Sequence, residues 1–266
     1  MAFWIKVLEF LDTQMETPAC YGWYHIMWLA IMLGLIAVLC TRFRNVDPSQ
    51  IRKVVFGTAV AVVLLEIYKQ INYSFTVEEG SIVFDYQWYA FPWQFCSTPM
   101  YIGFLTGFFR KGRVHDALCA YLASYSVFAG ICVMAYPGDV FIGTVGINFQ
   151  TMVCHSSMVV IGVWLLATGY VKPSWNTLKK AMAVFAVMVT IAMIMNETAY
   201  YAGLTETFNM FFISRHCEPS LPVYSLVQQV VPYPWCLLIY IAAFSAAAGL
   251  ILLFADLLLK RKPVNA

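Results

Sequence analysis

Cys96 and His155 are the residues of this chain whose types could carry covalent chemistry. A thiol becomes a nucleophile when it loses its proton, and an imidazole is the side chain that most often takes such a proton. We predict a helix that begins near Pro92, which places Cys96 about one turn inside its N-terminus, where the helix dipole favours a thiolate. Pro99 has no N–H to donate to the carbonyl of Phe95, so a main-chain acceptor is loosened beside the thiol.

Four further polar residues are candidates for the same site. Glu66 and Lys69 are three residues apart and share one helix face, so they can pair with each other. They are either a buried structural ion pair or working groups, in which case Glu66 would orient or polarise His155. Lys69, Gln94 and Asn196 could hold a phosphate or a carbonyl oxygen of a substrate. A cysteine or histidine in a membrane helix can also be a simple packing residue, and that alternative stays open.

We expect no metal and no cofactor. The possible metal ligands are Cys96, Cys154, His155 and Glu66. No local pair among them has the spacing typical of a zinc site. The eight cysteines contain no CxxC pair and no disulfide framework. Cys20 and Cys217 are expected on the same side of the membrane and could pair, but nothing in the sequence decides this.

The composition predicts a protein that lies almost entirely in a bilayer. Hydrophobic residues make up 61% of the 266, charged residues only 11%, and the mean hydropathy is +0.72. Soluble domains carry about 25% charged residues, so a water-facing surface is excluded. The net charge of +2 and the lack of basic runs interleaved with aromatic residues argue against a nucleic-acid partner.

Seven apolar stretches approach the roughly 20 residues that a membrane-spanning helix needs. They are 22–41, 54–73, 92–109, 116–135, 150–171, 181–202 and 232–258. We therefore predict an all-α membrane protein with a single polytopic domain over 1–266, a bundle over 22–258 and a basic tail over 259–266. Residues 1–20 are amphipathic and are predicted to lie in the membrane interface. This segment has no basic start and no small-residue cleavage site, so we do not expect a removed signal peptide.

Lys and Arg residues predict the orientation of the bundle. Thirteen of the 16 Lys and Arg residues lie in three of the loops or in the tail. The three loops are those that join stretches one and two, three and four, and five and six, and the tail follows stretch seven. Lys6 and Arg215 fall on the other side, and Lys69 lies within a stretch. The positive-inside rule then places the N-terminus outside and the C-terminus in the cytoplasm, with seven crossings.

This topology brings polar residues from five helices to one depth, in the outer half of the bundle. They include His25, Glu66, Lys69, Gln94, Cys96, Cys154, His155 and Asn196. Ionisable groups at membrane depth are expensive, so such a layer predicts either paired groups or a functional pocket. We interpret it as a pocket that opens outward.

Several motifs, in this order and spacing, carry a resemblance to a known family. They are FPWQFC at 91–96, the His155 segment leading to GYVKPSWNTL at 169–178, the Asn196 region, NMFF at 209–212 and PYPW at 232–235. From roughly the second to the seventh apolar stretch, the chain resembles the YwaF-type bacterial integral membrane family. It is also similar to the eukaryotic transmembrane protein 164. Family members often have a histidine at the position of Gln94.

The resemblance implies a function and a location. The eukaryotic relatives are regarded as cysteine-dependent acyltransferases that act on lysophospholipids through a Cys and a His. On this chain those two positions correspond to Cys96 and His155. Membrane lipids are the implied partners, and a bacterial cytoplasmic membrane is the implied location. The oligomeric state is not indicated.

The leading hypothesis is a lipid acyltransferase or transacylase that works through a thioester on Cys96, with His155 as general base. Because the pocket is predicted to open outward and acyl-CoA is cytoplasmic, the acyl group would come from another lipid. The main alternative is a protein that binds or transports a small solute or a lipid headgroup. The sequence shows neither an inverted repeat nor paired broken helices, the features that would indicate a secondary transporter. A third possibility is a non-enzymatic partner protein with a structural polar layer.

Overall fold

A computed structural model describes residues 1–109, 111–204, 207–218 and 221–260. Its helices are α1 (Ala2–Leu11), α2 (Trp23–Arg42), α3 (Pro48–Asn72), α4 (Thr98–Phe108), α5 (Arg113–Tyr121), α6 (Val127–Ala135), α7 (Val145–Ala167), α8 (Trp175–Tyr201), α9 (Pro222–Val230) and α10 (Trp235–Lys260). An antiparallel hairpin of β1 (Phe75–Glu78) and β2 (Ser81–Phe84) follows α3. The predicted all-α class is confirmed. Arg110 and most of the predicted basic tail, 261–266, lie outside the described residues.

Six helices in the described part of the chain are long and apolar enough to cross a membrane. They are α2, α3, α7, α8, α10 and a continuous helix over Arg113–Ala135. The last consists of α5 and α6 joined by a wider π-helical turn at Leu122–Ser126. These helices agree with the apolar stretches from which a multi-pass membrane protein was predicted.

The predicted third span, 92–109, differs from the other six. Its helix α4 has 11 residues, so it is only about 16 Å long, against roughly 30 Å for the hydrocarbon core. The residues before it form turns, in which the amides of Ser97 and Thr98 both donate to the carbonyl of Gln94, at 2.8 and 3.3 Å. The prediction that Cys96 lies one turn inside a helix was wrong, because α4 begins two residues after it.

Contacts between helix ends show that consecutive long segments run in opposite directions. At one end of the bundle, Trp164 Nε1 near the end of α7 donates to the carbonyl of Phe43 at the end of α2, at 2.9 Å. Tyr170 Oη, just after α7, is 3.3 Å from Nε2 of His115 at the start of α5. Lys180 Nζ, near the start of α8, donates to Oδ2 of Asp116 at the start of α5, at 2.9 Å. At the opposite end, the start of α2 meets the end of α6, where His25 Nε2 donates to the Met134 carbonyl at 2.9 Å. The number of crossings and the cytoplasmic side of the bundle remain predictions.

Helix α7 occupies the centre of the bundle and is buried over most of its length. It packs against α2, α3, α6 and the π-helical turn. The contact with α6 is close because Gly130 has no side chain: a Cβ there would lie 2.8 Å from the carbonyl oxygen of His155. Backbones that approach through glycine are a common device of membrane helices. This contact fixes the position of His155 along the axis of α7 relative to α6.

Helix α1 lies at the hairpin end of the bundle and buries none of its residues. Its apolar side chains Phe3, Trp4 and Phe10 are exposed. Tyr68 Oη on α3 donates to the carbonyl of Leu11 at 2.8 Å and holds the end of the helix. The predicted interfacial position of this segment is a proposal that its exposed aromatic side chains support.

Candidate functional site

Glu66 is the centre of a buried polar cluster between α3 and α7. Its side chain is on the buried face of α3, and the residue is only 6% exposed. Lys69 Nζ lies 3.0 Å from Oε1, and Gln70 Nε2 donates to the same oxygen at 2.7 Å. Gln150 Nε2, on α7, donates to Oε2 at 3.1 Å. Both carboxylate oxygens are therefore satisfied, as a buried charge requires.

Gln70 connects this cluster to the segment that precedes α4. Its Nε2 also donates to the carbonyl of Ala90 at 2.9 Å, and its Oε1 accepts from Tyr86 Oη at 2.6 Å. Burial raises the pKa of Tyr86, and the negative charge of Glu66 raises it further. The phenol therefore stays protonated as a donor at neutral pH. Together these bonds orient the amide of Gln70 toward the carboxylate.

Lys69 is the member of the cluster that interacts with the predicted catalytic residues. It keeps its ion pair with Glu66 and is partly exposed. Its positive charge also acts electrostatically on Cys96, Cys154 and His155. The two helices and the turn that carry these residues thus bring an ammonium, two thiols and an imidazole into one region.

Cys96 lies in the turn just before α4 and is partly exposed. The carbonyl of Phe95, which Pro99 cannot satisfy, accepts a bond at 2.9 Å from the hydroxyl of Thr98. That hydroxyl also contacts Tyr121 Oη at 2.7 Å, so the turn is held against α5. Cys154 on α7 is buried, and its thiol points toward the carbonyl of Cys96 at 3.9 Å.

His155 is buried and has a defined tautomer. It is 3% exposed, and Nδ1 donates to the carbonyl of Thr151, one turn earlier on α7, at 2.7 Å. A carbonyl only accepts, so the proton of the neutral ring is on Nδ1 and Nε2 carries a free lone pair. Nε2 has no hydrogen-bond partner among the described residues. An unpaired buried nitrogen of this kind is rare in folded proteins.

The sequence left open whether Cys96 and His155 are in contact, and among the described residues no bond joins them, since Nε2 of the ring is unpaired. The prediction that Glu66 orients His155 is likewise unsupported by a direct bond, because its two oxygens contact Lys69, Gln70 and Gln150. The role of His155 as general base for Cys96 and the role of Glu66 toward His155 both stay predictions.

Gln94 and Asn196 hold a loop segment near the hairpin end of the bundle. Asn196 Nδ2 donates to the carbonyl of Met210 at 3.0 Å, and its Oδ1 accepts from the Met210 amide at 2.7 Å. Gln94 Nε2 donates to the carbonyl of Asn209 at 3.0 Å, and its Oε1 accepts from the amide of Phe211 at 3.1 Å. Phe211 has a φ of +59°, so a strained backbone is stabilised here.

Two members of the cluster, Gln70 and Gln150, were not predicted as site residues. Their signal was available: an amide at the depth of a buried carboxylate is a natural partner for it. Tyr86 could not be found in this way, because it reaches Gln70 only after the hairpin folds back.

A cysteine–histidine contact lies at the opposite end of the bundle. Cys119 Sγ is 3.7 Å from Nδ1 and 3.8 Å from Nε2 of His115, one turn earlier on α5. The sulfur is therefore not aligned with one nitrogen, as proton transfer would need. Cys20 and Cys217 are not joined in a disulfide. Among the described residues no three His, Cys, Asp or Glu side chains form a metal-binding group.

The fold and this cluster define a class of protein. Six apolar helices of spanning length surround buried polar groups, which is the construction of a multi-pass membrane protein. The model of the TMEM164 family matches residues 20–252, and the chain belongs to that family. No curated protein and no solved structure matches it.

Proposed function

We propose that this protein transfers acyl groups between membrane lipids, with Cys96 as nucleophile and His155 as general base. The observation that supports it best is the state of His155: a buried imidazole with Nδ1 committed to a main-chain carbonyl and Nε2 free. A general base needs this tautomer, with the free nitrogen available to accept a proton. A packing histidine would more commonly have both nitrogens bonded.

The choice between the two thiols rests on access. Cys96 is partly exposed, whereas Cys154 is buried and directed at a main-chain carbonyl. A nucleophile has to meet its substrate, so Cys96 is the better candidate. Its contact with His155 would form when the substrate is bound, as catalytic hydrogen bonds often tighten only in the complex.

The proposed reaction has two balanced halves. In the first, the Cys96 proton passes to Nε2 of His155, and the sulfur attacks an ester carbonyl of a donor phospholipid. The C–O bond breaks, a thioester forms, and the departing lysolipid oxygen takes the proton back from the imidazolium. In the second half a hydroxyl of another lysolipid gives its proton to Nε2 and attacks the thioester. The C–S bond breaks, and the imidazolium returns the proton to the sulfur, which restores the thiol of Cys96. No cofactor or external co-reactant is needed.

The surrounding residues have supporting roles in this proposal. The ammonium of Lys69 would offset the negative charge that develops on sulfur and on the carbonyl oxygen, and Glu66 fixes that ammonium in place. Gln94 and Asn196 have their amides engaged with residues 209–211. They would therefore act on the substrate by shaping the wall that this segment forms.

Transfer of a labelled acyl chain between phosphatidylcholine and lysophospholipid, with purified protein in nanodiscs, tests the proposal. Cys96→Ser should abolish transfer without loss of folded protein, because the alcohol is a far weaker nucleophile and the volume change is small. His155→Gln should slow it strongly. Cys132→Ser is the matched control, since this exposed thiol lies outside the cluster. Full transfer by Cys96→Ser would refute the nucleophile.

A structural polar layer without chemistry is the second candidate function. The complete bonding of Glu66, Gln94 and Asn196 favours it, because a binding pocket usually keeps some polar groups free for its ligand. On this alternative, the wild-type protein transfers no acyl group in the same assay, whatever donor lipid is supplied. Substitutions at Glu66 and Asn196 would then lower the free energy of unfolding and affect no activity.

A further inference from the structure

A lateral cleft opens between α3 and α4, beside the polar cluster. It has a volume of about 340 Å³, which is within the range of ligand-binding clefts, about 300–1,000 Å³. Its lining includes Val63, Glu66, Ile67, Gln70, Ile71 and Met100. Most are apolar, and Ile67 on the rim is 52% exposed at the side of α3 that faces away from the bundle. In a membrane this mouth faces lipid.

Two polar residues of the cleft, Gln70 and Ser74, lie nearer the hairpin. On α3 the lining recurs at Val63, Ile67 and Gln70, which is one helix face, and Ser74 follows just after the helix ends. Ser74 and the neighbouring hairpin lie at the end of α3 that is furthest from the basic helix ends, whereas Val63 lies towards the middle of the helix. Ile71 and Phe75 add apolar surface at the hairpin end, so the lining is mixed there and apolar further inward at Val63. This lining fits an amphiphile with its polar group at the hairpin and its chain directed inward.

Glu66 connects the cleft with the proposed chemistry. It lines the cleft and also belongs to the cluster with Lys69 and Gln150. A lipid in the cleft would therefore lie directly beside this cluster.

We infer that the α3–α4 cleft binds one acyl chain of a phospholipid, which enters sideways from the bilayer with its headgroup at the hairpin. This inference rests on the proposed function only for the fate of the lipid; the binding itself follows from the shape and lining of the cleft. Burial of the chain against Val63, Ile71 and Met100 would fix its position by packing, since apolar transfer gives little drive within a bilayer.

Photolabelling separates a chain in the cleft from ordinary surrounding lipid. The probe is a phosphatidylcholine with a diazirine in its acyl chain, in nanodiscs of unlabelled phosphatidylcholine. Met100 lines the cleft and is only 6% exposed, so surrounding lipid meets almost none of its side chain. Leu64 is 62% exposed on α3 and does not line the cleft, so it reports surrounding lipid. We expect label on both residues. Label on Leu64 without label on Met100 would overturn the inference.

A matched pair of variants makes the test specific. Ile67→Trp places an indole at the mouth and should lower Met100 labelling about tenfold, or about 1.4 kcal/mol of chain binding. Leu64→Trp adds the same group one turn away and should leave it unchanged. Unchanged labelling in Ile67→Trp would also overturn the inference. Cys96→Ser should keep the labelling, so failure of the acyl-transfer chemistry and failure of the cleft are distinguished.

Discussion

Neutralising one member of the Glu66–Lys69 pair should cost more than neutralising both. In Lys69→Met the carboxylate of Glu66 keeps its bonds from Gln70 and Gln150, at 2.7 and 3.1 Å, but loses its only cation within 4 Å among the described residues. In Glu66→Gln the ammonium is left without an anion. Removing one partner of a buried pair costs about 3–5 kcal/mol.

The size of each loss follows from exposure and from the remaining bonds. The side chain of Lys69 is 17% exposed and two amides still reach the carboxylate, so we expect each single variant to lose about 3 kcal/mol, the lower end of that range. In the double variant Glu66→Gln/Lys69→Met no charge is left buried, and the loss should be smaller than either single loss. The coupling energy should then exceed about 3 kcal/mol, the upper end for residues in contact.

A double-mutant cycle measures this coupling. The free energy of unfolding of the four proteins would be determined by denaturant titration in one detergent, with equal slopes required for all four. Lys260→Met is a control, because its ion pair with Asp256 is exposed and should contribute little. Additive losses, with a coupling below about 0.5 kcal/mol, would show that Glu66 and Lys69 act independently and would refute the reasoning.

Three further predictions concern packing, the loop and topology. Gly130→Ala should lower the free energy of unfolding by about 1–3 kcal/mol, because the new Cβ would lie 2.8 Å from a carbonyl oxygen of α7. Gly34→Ala, where nothing lies within 4 Å, should be tolerated in the same denaturant titration. Asn196→Ala should cost about 1–3 kcal/mol by leaving buried backbone groups of residue 210 unpaired, and should speed proteolysis of the loop that follows α8. Reporters fused after Lys53 and Lys260 should both be cytoplasmic, and reporters on opposite sides would contradict the seven-crossing topology.

The spanning helices were predictable because hydropathy and length report directly on burial in a bilayer. The stretch 22–41 became Trp23–Arg42, and 232–258 lies almost entirely within Trp235–Lys260. The stretch 92–109 became a turn and a short helix. It contains two prolines and the polar residues Gln94, Ser97 and Thr98. Length and overall apolar character did not show that its first residues would form a turn buried within the protein, which is where irregular backbone is tolerated at membrane depth.

The cluster was predictable in depth but not in direction. The common depth of Glu66, Lys69 and Cys96 followed from helix order and orientation. The partners did not, because a rotation of about 100° per residue decides which neighbour a side chain meets. Asn196 shows the limit most clearly: its partner is Met210, in a loop whose conformation depends on the positive φ of the next residue.

Detection of the thioester itself tests the central claim most directly. The purified protein in nanodiscs would be incubated with a diacyl phospholipid and no acceptor, then digested and analysed by mass spectrometry with and without neutral hydroxylamine. We predict an acyl group on the peptide with Cys96 that hydroxylamine removes, that is absent from Cys96→Ser and that is reduced in His155→Gln. An acyl group on Cys154 instead, or the absence of any acylated cysteine with every donor lipid tried, would contradict the proposed chemistry.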